Sequence, residues 1–162
     1  NLQNMNEEPF DSLFVRQQDE TSCGPACLAT VARLYRIPGL SYESLRHLLP
    51  PEMPYGVFNF RMVEVSRACL PFENAGEDCY AGGVAIANIT ESEGHYVVFL
   101  CGREEDVVYY DPYTHKITAA WLPGINRVSE SGRLKHWAIN YKPLPGNSFE
   151  RWQKFQARPD ES

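Results

Sequence analysis

The spacing of apolar residues changes at about residue 80, and no other feature limits the possible folds of this chain as strongly. Before that point apolar residues recur at helical spacing, and after it short β-branched or aromatic runs alternate with turn residues. Helices followed by strands are typical of an α+β fold rather than of alternating βαβ units. We therefore predict N-terminal helices packed on a C-terminal antiparallel sheet.

The first predicted helices follow residues that favour helix N-termini. Thr21 and Ser22 precede a helix that continues to about Tyr35, and Ser41 precedes a second helix that ends near Leu49. The first of these is apolar enough to be the central, buried helix. The other predicted elements are a helix over 58–69 and strands over 82–89, 95–101, 106–111, 116–121 and 134–141.

The length of 162 residues is that of one domain with a substantial core. We predict a mobile leader over 1–12, because it is polar and acidic, and a folded domain over 13–142. Residues 143–162 are predicted to be a tail, rich in proline and polar residues at its ends, whose aromatic side chains fold back on the domain. No apolar run reaches the roughly 18 residues of a membrane-spanning helix.

Charge and cysteine content exclude several classes of function. The net charge is −6, which argues against binding to nucleic acid or to an anionic membrane surface. The five cysteines are odd in number and include no Cys-x-x-Cys pair, which argues against a disulfide framework and against structural zinc. We therefore expect the protein to work in a reducing compartment.

Cys23 falls in the first turn of the predicted central helix, before Gly24 and Pro25. The partial positive charge and the free N–H groups of a helix N-terminus favour the thiolate form of a cysteine there. The thiolate is the form that attacks a carbonyl carbon, so Cys23 is our candidate nucleophile. The alternative is a small buried core residue, which is what most free cysteines are.

His95 and Asp111 lie at the outer ends of two consecutive predicted strands. A turn centred on Arg103 would place them directly opposite each other, with Cβ atoms about 4.5–5.5 Å apart. A carboxylate there would fix the tautomer of the imidazole and stabilise its protonated form. A register shifted by one residue would put the two side chains on opposite faces. Taken singly, His95 also fits a strand end, and Asp111 before Pro112 fits the start of a turn.

Gln17 lies six residues before Cys23 in a segment that we predict to be extended. Its side-chain amide and the backbone N–H of Cys23 would together donate to the oxygen that becomes negative when a thiolate attacks an amide. Gln18 competes for this role, and an ordinary surface glutamine is the alternative for either residue. Trp121 and Trp137 are candidates for shielding the His–Asp pair from water, with core packing as the alternative.

Three short motifs occur in a distinctive order and spacing. They are QQDETSCGPACL over 17–28, GHYVV over 94–98, and Asp111-Pro112. Together they resemble the papain-like double-glycine leader peptidases, which are the bacteriocin-processing domains of peptide-exporting ABC transporters. The similarity extends over about 13–141.

The resemblance implies a papain-like fold and hydrolysis of the peptide bond after a Gly-Gly pair, without a cofactor or metal. It implies that Cys23 is the nucleophile and His95 the base and acid. Asp111 would orient the imidazole, and Gln17 would complete the oxyanion hole. The implied partner is a protein or peptide substrate with a Gly-Gly site.

Two departures from the family pattern suggest a divergent branch. Ser22 stands where an acidic residue is common, and Tyr35-Arg36 replaces a common Tyr-Gly pair. The chain also contains no transporter core, which favours a bacterial toxin or effector domain that acts on cytosolic proteins and is blocked by an immunity protein. The alternatives are a leader-processing domain of a peptide exporter, a thiol acyltransferase and an inactive peptide-binding module.

Overall fold

A computed structural model describes residues 9–52, 56–89, 95–125, 127–128, 134–135 and 137–156 of the protein. The helices are α1 (Phe10–Leu13), α2 (Cys23–Leu34), α3 (Tyr42–Leu48), α4 (Asn59–Cys69), α5 (Leu122–Ile125) and α6 (Phe149–Gln153). The strands are β1 (Phe72–Glu77), β2 (Ala85–Asn88), β3 (Tyr96–Arg103), β4 (Asp106–Asp111), β5 (Lys116–Trp121), β6 (Arg127–Val128), β7 (Leu134–Lys135) and β8 (Trp137–Tyr141).

The main sheet of the described residues is antiparallel throughout, with the strand order β1-β8-β2-β3-β4-β5. Strands β6 and β7 pair separately. The helices α2, α3 and α4 precede the sheet in sequence, and their apolar residues share one core with it. The predicted α+β architecture is therefore confirmed.

Helix α2 lies at the centre of this core, as its composition predicts. All of its residues are buried except Arg33. The helix ends with Arg36 in the left-handed region at φ 55°, and the N–H of Ile37 donates to the carbonyl of Ala32. This is a Schellman ending, for which glycine is the usual residue, and Arg36 takes the position of that glycine.

Of the two serines predicted to cap helices, one does so through its side chain and the other does not. Ser41 caps α3, because its hydroxyl accepts a hydrogen bond from the backbone N–H of Ser44 at 3.1 Å. Ser22 occupies the N-cap position of α2, but its side chain makes no capping hydrogen bond there. The side-chain capping predicted for Ser22 is therefore wrong, and its hydroxyl instead contacts the hydroxyl of Tyr42 at 2.6 Å.

Two parts of the strand prediction need correction. Strand β1 was not predicted, because its sequence FENAGE has no alternation of apolar and polar residues; it lies at the sheet edge and is partly or fully exposed throughout. The predicted strand over 134–141 is divided between β7 and β8, which belong to different sheets. His136, between them, lies outside the described residues.

Both ends of the described chain contribute aromatic rings to the core. Phe10 is 7% exposed and stacks on Phe14 at 4.7 Å between ring centroids, although it falls within the predicted leader. In the predicted tail, α6 buries Trp152 completely, and Phe155 packs against both Trp152 and Phe14. Residues 1–8 and 157–162 lie outside the described part, and the boundaries at 12 and 142 stay predictions.

No helix among the described residues is both long enough and apolar enough to cross a membrane.

Candidate active site

Cys23 is the first residue of α2, where the sequence predicts it, and only 3% of it is exposed. Its sulfur accepts a hydrogen bond from the backbone N–H of Tyr96, at the start of β3, with 3.5 Å between the two atoms. Gly24, the next residue of α2, lets Met62 pack closely against the helix start, since a Cβ at Gly24 would lie 2.9 Å from Sδ of Met62, whereas the ring of Tyr96 at 3.6 Å would be in ordinary contact. The helix start and the strand start therefore meet at the thiol.

His95 joins Cys23 to Asp111. Its Nε2 lies 2.9 Å from Oδ1 of Asp111, and its ring also shares a hydrogen bond with the side chain of Cys23. Because Nε2 is used by the carboxylate, Nδ1 is the nitrogen left for the sulfur. The backbone N–H of Tyr113 donates to the same carboxylate oxygen at 2.9 Å and fixes its position. The predicted Cys, His and Asp thus form one hydrogen-bonded chain.

The strand register that brings His95 to Asp111 differs from the predicted one. The prediction pairs Val98 with Val108, whereas Val98 lies opposite Tyr110. The turn consists of Glu104 and Glu105 rather than being centred on Arg103, and Glu104 has a φ of 59°. Glutamate gives little sequence signal for a turn that needs a positive φ, so the turn was misplaced.

Strand β3 contains a bulge at Leu100, and because of this bulge the side chains near His95 keep their predicted faces. Between the turn and the bulge, each residue of β3 lies opposite a residue of β4 that is three positions beyond its predicted partner. Beyond the bulge between Phe99 and Cys101, this difference is two positions. An even displacement keeps each side chain on its predicted face. If the register is extended by one residue beyond the pair of Val98 and Tyr110, Asp111 lies opposite Val97. His95 is then the diagonal neighbour of Asp111, and the two side chains can reach each other.

The environment of His95 favours its protonated form. Burial opposes the charge, but the hydrogen bonds to Asp111 and Cys23, together with the negative charges of these groups, outweigh it and raise the pKa of His95 to about 9. The imidazole therefore holds both ring protons at neutral pH, one directed to the carboxylate and one to the sulfur. This is the state that can give a proton to a leaving amine.

The raised pKa of His95 predicts an alkaline limit to the activity. We expect kcat/KM to fall as the pH rises through about 9, since His95 then loses the proton that it has to donate. In Asp111→Asn the negative charge is absent, and this limit should move to lower pH by about 1 unit or more. A pH profile of peptide cleavage measures both. An alkaline limit that is the same in both proteins would contradict this account of His95.

Gln17 is buried beside the site, at 8% exposure. Its backbone N–H donates to the carbonyl of Pro112 at 3.1 Å, which ties the entry segment to the turn after Asp111. Its side-chain Nε2 donates to the carbonyl of Asp19 at 2.7 Å. Since only an N–H can bond to a carbonyl, this contact determines which way the amide faces. The second hydrogen of Nε2 is available for another acceptor.

The two tryptophans considered in the sequence, and one further histidine, make contacts of an ordinary structural kind. Trp121 is 57% exposed, pairs with Asp106 at the opposite end of β4 from Asp111, and donates to Glu105, so the predicted shielding role is wrong for it. Trp137 is partly buried and packs edge-on against Tyr96 at the border of the core, at 6.2 Å between centroids. His115 faces Tyr110 and Asp11.

Two tyrosines at the site were not identified from the sequence. Tyr96 supplies its backbone N–H to Cys23, and its hydroxyl contacts the carbonyl of Val57 at 2.7 Å. Tyr42 contacts the segment between Gln17 and Cys23. The sequence carries no signal for either role beyond the position of Tyr96 directly after His95. Among the described residues no three His, Cys, Asp or Glu side chains are grouped as metal ligands.

Comparisons with known proteins identify a family and a similar fold. The model of the Peptidase C39 family matches residues 11–121. The peptidase domain of Streptococcus ComA, described as a bi-functional ABC transporter involved in quorum sensing, has a TM-score of 0.58 at 24% identity, covering 82% of this chain and 98% of that one. The peptidase domain of Streptococcus mutans ComA has a TM-score of 0.46 at 20% identity, covering 81% and 99%. No curated protein sequence matches the chain.

The family match covers well over half of the chain and includes the central helix and strands β1 to β5. It confirms the resemblance to the double-glycine leader peptidases and the papain-like α+β fold. The chain belongs to the Peptidase C39 family and is a cysteine peptidase.

Proposed function

We propose that this protein hydrolyses the peptide bond after a Gly-Gly pair, with Cys23 as the nucleophile. The observation that carries the proposal is the hydrogen-bonded chain from Cys23 through His95 to Asp111. A thiol, an imidazole and a carboxylate in this order are the parts that a cysteine nucleophile needs. The C39 family membership supports the glycine preference.

The first step of the reaction forms an acyl-enzyme. Sγ of Cys23 attacks the carbonyl carbon of the scissile bond, and the carbonyl oxygen takes the negative charge. As the C–N bond breaks, the proton on the sulfur-facing nitrogen of His95 passes to the leaving amine. Asp111 keeps the ring in position through the 2.9 Å bond to Nε2.

The second step releases the acyl group. The now neutral His95 takes a proton from a water molecule, and the resulting hydroxide attacks the thioester carbon. The C–S bond breaks, the product leaves as a carboxylic acid, and Cys23 returns to its starting form. The charge on the carbonyl oxygen in both steps would be held by the backbone N–H of Cys23 and by the second N–H of Gln17 Nε2.

The burial of Cys23 supports a preference for glycine. Only 3% of the residue is exposed, so a substrate carbonyl has to come very close to the helix start to reach the sulfur. A residue without a Cβ approaches more closely than any other. We therefore assign the glycine preference to restricted access to Cys23.

Substrate peptides test this preference directly. We expect a peptide with a Gly-Gly site to be cleaved after the second glycine, and the same peptide with Ala-Ala at that site to lose about 100-fold or more in kcat/KM. Mass spectrometry identifies the cut and shows whether the products are hydrolysed or ligated to an amine. Equal cleavage of both peptides would refute the glycine preference, and ligated products would favour the acyltransferase alternative.

We propose the leader segment of an exported peptide as the substrate. The support is that ComA, whose peptidase domain shares this fold, is a bi-functional ABC transporter. The toxin or effector role, with its cytosolic target and immunity protein, has no support from the comparisons and stays a prediction. Mapping new N-termini in a bacterial lysate treated with the protein would favour the effector role if folded cytosolic proteins were cut at Gly-Gly sites.

A further inference from the structure

We propose that Tyr42 is a positioning residue for the oxyanion hole, and that α3 acts as a brace for the loop from Gln17 to Cys23. This inference rests on the proposed function, since it assigns a role within the same reaction. Tyr42 is the first residue of α3 and is 7% exposed. Its side chain contacts neither Cys23 nor His95 in any hydrogen bond found among the described residues, so its role is indirect.

The hydroxyl of Tyr42 holds the loop at both of its ends. It accepts a hydrogen bond from the backbone N–H of Gln18 at 2.8 Å and shares a second one with the hydroxyl of Ser22 at 2.6 Å. Gln18 directly follows Gln17, and Ser22 directly precedes Cys23. One oxygen atom therefore fixes the neighbours of both groups that are proposed to bind the oxyanion.

The middle of the loop is held by Asp19. Its carboxylate accepts from the backbone N–H of Thr21 at 3.0 Å and from the guanidinium of Arg46 at 2.8 Å. Its carbonyl accepts the side-chain N–H of Gln17 at 2.7 Å. Arg46 follows Tyr42 by four residues and so lies on the same side of α3. Tyr42 and Arg46, which both extend from α3 to the loop, thus hold the loop in its shape.

The spacing of the two oxyanion donors has a direct effect on the rate. Each donor has to lie about 2.7–3.1 Å from the position of the developing charge. A displacement of about 1 Å costs up to about 100-fold in rate even when it originates away from the chemistry. Without the Tyr42 hydroxyl, Gln18 and Ser22 lose their common partner, and the contacts of Asp19 and the bond from Gln17 to Pro112 are left to restrain the distance between Gln17 and Cys23.

Tyr42→Phe separates this role from general damage. We expect kcat for a Gly-Gly peptide to fall about 10- to 100-fold with KM changed less than about 3-fold. Alkylation of Cys23 by iodoacetamide should keep its rate within about 2-fold, because that reaction places no negative charge on a carbonyl oxygen. Both measurements are made in a Cys69→Ala background, since Cys69 is an exposed thiol that would also react, and the label is assigned to Cys23 by peptide mass spectrometry because the free thiols of Cys79 and Cys101 are partly exposed.

Tyr35→Phe is the matched control. It also removes one tyrosine hydroxyl, which donates to the carbonyl of Lys142 away from the site, and should leave kcat within about 2-fold. Ser22→Ala is the second variant if Tyr42→Phe does not fold. It removes the other partner of the hydroxyl without removing a helix cap, and should lower kcat with the same unchanged alkylation.

Two results would contradict the positioning role of Tyr42, and a third would contradict the proposed function. An unchanged kcat in Tyr42→Phe, or an equal loss of peptide cleavage and alkylation, would overturn the positioning role. If instead the unmodified protein cleaves no Gly-Gly peptide while its Cys23 still reacts with iodoacetamide, the proposed function itself fails.

Discussion

Replacing Cys23 with alanine should lower kcat/KM for a Gly-Gly peptide by about 10⁴-fold or more. Alanine has no group that can form the acyl-enzyme, and the oxyanion donors and the bound substrate alone supply little rate without it. The measurement is cleavage of a Gly-Gly peptide at enzyme concentrations high enough to detect a residual rate. Mass spectrometry should also show no covalent adduct with a peptide-based alkylating agent.

The Cys23→Ala protein should keep its fold, because the removed sulfur lies at the start of α2 and the helix interior is unchanged. Its circular dichroism and thermal unfolding serve to show this. Cys69→Ala is the matched control, since Cys69 is a free but exposed cysteine and should be dispensable. Undiminished cleavage by a folded Cys23→Ala protein would exclude Cys23 as the nucleophile.

Replacing His95 with glutamine should lower kcat/KM by about 10³-fold or more. Glutamine occupies a similar volume and can hydrogen-bond to Asp111, but it cannot move a proton between the sulfur, the leaving amine and water. It also removes the positive charge next to Cys23, so alkylation of Cys23 at neutral pH should slow by about 10-fold or more. Steady-state kinetics and iodoacetamide labelling, again in the Cys69→Ala background, measure the two effects.

The chain provides a matched control for this change in His115. Its Nε2 lies 2.7 Å from a carboxylate oxygen of Asp11, which resembles the contact of His95 with Asp111, but this pair joins α1 to the turn after β4. We expect His115→Gln to change thermal stability while kcat/KM stays within about 3-fold. A comparable loss of activity in both variants would indicate that the effect of His95→Gln is structural.

Local patterns in the sequence were sufficient for most of the fold. The apolar period predicted α2 and α3 to within about a residue, and short β-branched or aromatic runs between turn residues predicted β3, β4 and β5. Strand β1 was not predicted, because an exposed edge strand needs no apolar face. Its pairing with β8 depends on residues about 65 positions later in the chain, which no local pattern records.

The sequence also predicted the residues of the candidate site, but not the strand register that brings them together. The residue types and spacing of Cys23, His95, Asp111 and Gln17 were available from the sequence, and so were the helix start and the strand ends that carry them. The register was not, because the turn uses Glu104 at positive φ and the strand contains a bulge at Leu100. His95 and Asp111 still meet, since the total displacement is even and preserves the face of each side chain.

By itself, the sequence determined which side chains could react and which local elements would carry them, because helix and strand periods and helix starts depend on neighbouring residues. Only the tertiary structure decided that the sulfur of Cys23 meets the backbone of Tyr96, 73 positions later, and that one tyrosine hydroxyl on α3 holds both ends of the loop before Cys23. Contacts of this kind arise from the packing of whole elements against one another, so they depend on the shape of the core and not on any short stretch of the chain.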